Sequence, residues 1–119
     1  MNNPIYVDVD GTLVRDLKAD DNDKYSGVVL KGVEIPHPLR GNELVYKVPM
    51  HNNIQLLKDM STRGRTIVVW SAAGWQWAQA VVHALNLENF VNYAGEKGIA
   101  YMDDLDCSEF MGQRIFLND

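Results

Sequence analysis

Two short runs of apolar, largely β-branched residues, Ile5 to Val9 and Thr66 to Trp70, are separated by a stretch with helical periodicity, and this order constrains the fold more than any other feature of the chain. Short apolar runs bounded by turn residues predict buried strands. Between them, Ile54, Leu57 and Met60 recur at helical spacing, which predicts a helix over about residues 50–63 with Gly64 as its stop. After the second run, Gly74 opens a further helix to about Leu87, with Trp77, Val81 and Leu85 four residues apart. A short strand near Phe90 to Tyr93 and another from Ile99 to Met102 are expected to follow, and Ile115-Phe116-Leu117 forms a last apolar patch. Strands alternating with helices require a mostly parallel sheet covered by helices, the α/β class. Residues 25–49 break the alternation. Val28-Val29-Leu30 and Val33-Glu34-Ile35 flank Gly32, and Leu44 to Val48 follows the turn formers Pro36, Pro38 and Gly41-Asn42, so a β-hairpin insertion is expected there.

The 119 residues suffice for one domain, 1–119, and 46% apolar content is ordinary for a chain with a packed core. Cys107 is the one cysteine, which excludes an internal disulfide framework. No apolar run is long enough to span a bilayer, and Met1-Asn2-Asn3-Pro4 lacks the basic start of a signal peptide, so a cytoplasmic protein without a membrane partner is expected. The net charge of −5 argues against generic binding to nucleic-acid backbones. Locally, Asp16, Asp20, Asp21 and Asp23 outnumber Arg15 and Lys18, whereas Lys24, Lys31, Arg40 and Lys47 outnumber Glu34 and Glu43 in the stretch that follows. That contrast fits a solvated surface of mixed sign, or a basic segment facing an anionic substrate.

Parallel sheets bind ligands beyond the carboxyl ends of their strands. The first predicted strand ends in Asp8 and Asp10, the second in Ser71, and the later one in Asp103 and Asp104, with Lys97 just before it. Asp8 and Asp10 are two apart, so an extended chain sends both side chains to one side. Four carboxylates gathered at one edge would repel unless a cation neutralised them. An all-oxygen set without a Cys or His pair suits magnesium, which in turn favours a phosphate substrate. In Ser71-Ala72-Ala73-Gly74 the small side chains let backbone N–H groups approach a phosphate at a helix start. Each signal alone has a plain structural explanation: Ser71 as a helix cap, Lys97 as a surface lysine, Asp10-Gly11 as a turn. The ordered combination points to phosphate chemistry.

With those residues in view, the chain resembles the haloacid dehalogenase (HAD) superfamily. Tyr6-Val7-Asp8-Val9-Asp10-Gly11-Thr12-Leu13 resembles its first motif, Ile67-Val68-Val69-Trp70-Ser71 its second, Lys97 its third-motif lysine, and Tyr101-Met102-Asp103-Asp104 its fourth. The resemblance implies a small capless phosphatase with a Rossmann-like three-layer sandwich, a central first strand and residues 25–49 as an enlarged flap. It implies Asp8 as the nucleophile that forms an aspartyl-phosphate and Asp10 as general acid and base. Asp8, the backbone carbonyl of Asp10, and Asp103 would hold Mg2+, with Asp104 as a further ligand or as a hydrogen-bond acceptor behind the ligands. Ser71, Ala72 and Lys97 would bind the phosphoryl group.

Two departures are visible: Lys97 lies only six residues before Asp103, and Ser108 stands where an acid or Asn often falls, with Asp106 nearer. Capless members often act on large substrates or borrow a lid from a neighbouring subunit, which leaves a homo-oligomer open. Trp75 and Trp77 could stack on a base and His37 could touch a substrate, but Trp77 in the core, Trp75 over a helix edge and His37 as a plain loop histidine are the stronger readings. A small-molecule or nucleotide phosphoester, or a nucleic-acid phosphate end, would suit the site. The competing readings are a non-catalytic phosphate-binding relative and a receiver-like phosphoacceptor domain. The order of acids and lysine argues against the latter.

Overall fold

The computed structural model describes residues 4–18, 31–112 and 114–115. Val28, Val29 and Leu30 of the expected hairpin lie outside the described residues, as do Asp20, Asp21, Asp23, Lys24, Phe116 and Leu117.

Three parallel strands form one sheet in the order β1 (Ile5–Asp8), β5 (Ile67–Ser71), β6 (Tyr93–Glu96). Ile5 pairs with Ile67 and Asp8 with Trp70, while Val68 pairs with Tyr93 and Ser71 with Glu96. The other sheet is antiparallel: β2 (Val14–Arg15) pairs with β4 (Glu43–Pro49), which pairs with β3 (Val33–His37). Pro36 lies inside β3 instead of making the turn. An edge strand tolerates a residue that cannot donate to the ladder. The chain reverses one step later, through a 3₁₀ turn at Pro38–Arg40 and then Gly41-Asn42.

Helix α1 (His51–Thr62) joins β4 to β5, and α2 (Trp75–Ala84) joins β5 to β6. Both helices match the predicted spans within a few residues, and their apolar stripes are what the core uses. Successive right-handed crossovers that step in one direction put both helices on the same face of the sheet. Burial along β5 agrees, with Ile67, Val69 and Ser71 buried while Val68 and Trp70 are only partly so. Ile54 and Leu57 of α1, Trp77 and Val81 of α2, and Val9, Leu13 and Ile35 join Ile67 and Val69 in one core. Removing any one such side chain from water contributes about 1.5–3 kcal/mol.

The opposite face carries Tyr6, which meets the Trp70 ring at 4.6 Å, and Tyr93; both tyrosines are exposed. Neither α1 nor α2 covers that face. Among the described residues β1 is an edge strand, not the expected central one. The strand expected near Phe90 to Tyr93 falls three residues later. Ile99 to Met102 forms no strand at all. Only Lys97 and Gly98 separate that run from β6, whereas a parallel crossover needs a dozen or more residues. A short helix, α3 (Cys107–Phe110), follows, capped reciprocally by Asp106 and Glu109. Among the described residues, no helix is long and apolar enough to cross a membrane.

Candidate active site

The carboxyl ends of β1, β5 and β6 bring Asp8, Ser71 and Lys97 together. Asp8 ends β1, and Lys97 follows β6, held there by its backbone N–H donating to the Ser71 carbonyl at 3.0 Å. Its Nζ stands 3.9 Å from Asp8 Oδ1. Both side chains are more than a third exposed, so solvent screens the pair and its effect on stability is small. Its interest is positional: a cation faces a carboxylate at the open end of the sheet.

Asp10 projects from a tight turn that leaves β1. Gly11 takes φ +82°, a conformation that costs a glycine little, and its N–H donates to the Val14 carbonyl. The N–H groups of Thr12, Leu13 and Val14 all point at the Val9 carbonyl, at 3.2, 2.8 and 3.3 Å. Buried Leu13 and Val14 anchor the turn from below. Two contacts from outside tie it further. Met50 N–H donates to the Leu13 carbonyl, and the buried Asn53 amide donates to the Thr12 carbonyl at 2.8 Å.

The Asp10 carboxylate accepts the indole N–H of Trp77 at 3.2 and 3.3 Å to its two oxygens. Trp77 lies in the first turn of α2 with 1% of its surface exposed. The His37 ring stacks flat on it, with centroids 4.4 Å apart and planes 9° from parallel. Lys47 Nζ lies 5.9 Å from the same ring and also pairs with Asp16 at 2.6 Å. The Lys47 hydrogen bond, and secondarily its charge, holds the Asp16 carboxyl below its ordinary range. The antiparallel sheet is thereby fastened to the general-acid candidate through Trp77.

Ser71 is buried and does not cap α2; Gly74 occupies the cap position with φ +115°. The Ser71 hydroxyl accepts the Ala73 N–H at 3.0 Å, and its carbonyl accepts from both Gly74 and Lys97. The hydroxyl therefore shapes the turn on which exposed Ala72 and Ala73 sit. Trp75, expected to cover a helix edge, is half-exposed at the start of α2.

Asp103 and Asp104 do not join Asp8 and Asp10 in a metal-binding cluster. Among the described residues, no group of three or more His, Cys, Asp or Glu side chains could hold a metal ion. The Leu105 N–H, followed by Asp104, holds the Asp103 carboxyl below its usual range, so its strongest partners are its own neighbours. Ile99 to Met102, expected to deliver Asp103 and Asp104 to the sheet end, forms no strand.

Sequence reasoning placed Trp77 in the core but did not foresee its bond to Asp10, nor the His37 stack, the Lys47 contact or the Asn53 tie. One signal was available: a buried tryptophan N–H needs an acceptor, and a helix starting at a strand end has carboxylates nearby. No protein-family model, curated protein or solved structure matches this chain.

Proposed function

We propose that this chain is a HAD-type phosphatase that hydrolyses a phosphomonoester through an aspartyl-phosphate on Asp8, with a Rossmann-like core and the β3–β4 hairpin as a flap beside the site. The observation that carries the reading is Lys97 Nζ, 3.9 Å from Asp8 Oδ1, at the carboxyl end of a parallel sheet, with Asp10, two residues on in the chain, held by Trp77. In the first step an Asp8 oxygen bonds to phosphorus as the bond to the leaving oxygen breaks, and Asp10 gives that oxygen its proton. In the second, water attacks phosphorus, Asp10 takes the water's proton, and phosphate leaves with the Asp8 carboxylate restored. Lys97 offsets negative charge on the phosphoryl oxygens in both steps.

Magnesium belongs to this proposal as the cation that the carboxylates and the substrate phosphate would share. The substrate class is a small-molecule or nucleotide phosphoester, with a nucleic-acid phosphate end also suited to an uncapped site. A panel of phosphoesters assayed with magnesium tests the reading. Turnover should disappear in EDTA, return on adding magnesium, and fall about 10³-fold or more in Asp8→Asn. Near-normal turnover by Asp8→Asn, or full activity without metal, would sink it. A second reading, a non-catalytic phosphate-binding relative, is favoured by the missing third carboxylate. It predicts binding of magnesium and phosphate without turnover of any ester.

A further inference from the structure

The missing carboxylates and the missing strand have a common remedy. Ile5, Tyr6 and Val7 line the open edge of β1, with no charged residue before Asp8 and no pairing partner on that side among the described residues. An apolar edge of this kind is a template for another strand. Beside it lies the sheet face that no helix among the described residues covers, with Tyr6 and Tyr93 exposed. The same chain presents an apolar run that pairs with no strand among the described residues: Ile99 is 98% exposed and Met102 101%, and Tyr101, though it meets Cys107 and Phe110, is also exposed.

That run cannot reach the β1 edge of its own chain. Three Cα steps connect Glu96 to Ile99, a reach of about 10 Å at most. The new position lies three strand spacings from β6, about 14 Å sideways. A parallel strand must also start near the amino end of β1, a further ~10 Å back along the sheet. Running antiparallel would save the return but leave Asp103 at the wrong end, and the sideways distance alone still exceeds the reach.

We infer that a second copy of this chain supplies Ile99 to Met102 as a parallel strand on the β1 edge, so that Asp103 and Asp104 of one copy complete the Asp8 and Asp10 site of the other. Set beside Ile5 to Asp8, the four residues Ile99 to Met102 end level with Asp8, and Asp103 follows at the mouth of the site. Exchange in both directions makes a closed, two-fold dimer in which each open edge is used once. The tail beyond, with exposed Leu105 and Phe110, then lies where it can cover the Tyr6 and Tyr93 face. The role given to the completed site rests on the phosphatase reading; the exchange itself rests on the edge, the exposed run and the reach.

Two measurements on the full chain test this. Sedimentation equilibrium should find a dimer for the wild type, and the double variant Ile99→Asp/Met102→Asp should be a folded monomer by circular dichroism. In the second, Asp8→Asn and Asp103→Ala/Asp104→Ala proteins, each inactive alone, are unfolded, mixed equally and refolded together. The mixture should recover about a quarter of wild-type turnover, the share of sites left intact when subunits pair at random. A wild type that stays monomeric at all concentrations, a dimer untouched by the double aspartate variant, or an active wild type whose mixed variants stay inactive would each overturn the exchange. A chain that turns over no ester but dissociates in the double variant would support the exchange while removing the phosphatase reading.

Discussion

Asp8 and Asp10 occupy a strand end and a turn tied to α1, α2 and β6, whereas Asp103 and Asp104 lie on a segment tied chiefly to itself. The first pair is held by three N–H groups on the Val9 carbonyl, the Asn53 amide, the Trp77 indole and Lys97. In the second region, Leu105 N–H returns to Asp103, Cys107 N–H donates to the Tyr101 hydroxyl, and Tyr101 meets Phe110 edge-on at 5.5 Å. Both regions carry an acidic pair after an apolar run, yet one is held by contacts from several elements of the fold and the other chiefly by its immediate neighbours. Preorganised donors act on a reaction without being ordered at the moment it occurs. On the proposed reading, the difference places the covalent chemistry at residues 8–10 and gives residues 103–104 a supporting part that a second copy would complete.

The largest break in this comparison is expected at Lys97, which joins the two regions. Lys97→Met keeps the aliphatic stem and removes the charge facing Asp8. We expect kcat/KM on a phosphoester to fall about 10²-fold, on the scale of losing one electrostatic donor to a transition state. Thermal stability should hardly change, because the pair is solvent-exposed. A variant with wild-type kcat/KM would show that the lysine only decorates the sheet end.

A smaller effect is expected at Trp77. Trp77→Phe keeps an aromatic face for His37 but removes the N–H that fixes Asp10. A hydrogen bond to a charged group is worth about 1.5–3 kcal/mol, so kcat should drop at least about tenfold with KM little altered. A parallel rise in KM with kcat unchanged would mean that the indole contacts substrate instead of positioning the acid. Some loss of stability comes with it, since the smaller ring leaves space in the core.

The smallest effect belongs to the Asp16–Lys47 pair that steadies the hairpin. Asp16→Asn should cost up to about 1 kcal/mol at neutral pH, as Asp16 is largely exposed. The folded Asp16 carboxyl titrates below its ordinary value of 3.8, so the pair's contribution is in place above 3.8 and is lost as pH falls through the lower folded value. Urea melts of both proteins should therefore converge in acid; a constant gap down to the lowest pH would assign the stabilisation to something other than this carboxylate.

The helices and the two principal strands were legible because their signals are local and redundant: helical spacing in Ile54, Leu57, Trp77 and Val81, and β-branched runs in β1 and β5. Strand β6 was misplaced because Tyr93-Ala94-Gly95-Glu96 has no apolar run of its own; pairing with Val68 to Ser71 defines it. Ile99 to Met102 failed in the opposite way. Its composition suits a strand, but a strand needs a partner edge within reach, and reach is a property of the connection, not of the run. In the site, the convergence of Asp8 and Ser71 followed from parallel topology, whereas Lys97, expected just before the Ile99–Met102 strand, joins them because it follows β6. The clamp on Asp10 did not follow from topology, because it depends on how an antiparallel sheet and a helix start happen to meet around one indole.

Trapping the intermediate tests the central claim most directly. The protein is mixed with phosphoester and magnesium, quenched in acid within its first turnovers, digested and read by mass spectrometry. The account predicts a phosphoryl adduct on the peptide holding Asp8, labile to alkali and absent from Asp8→Asn. Hydrolysis that proceeds with no adduct on that peptide, or with the phosphoryl group on another residue, would contradict it.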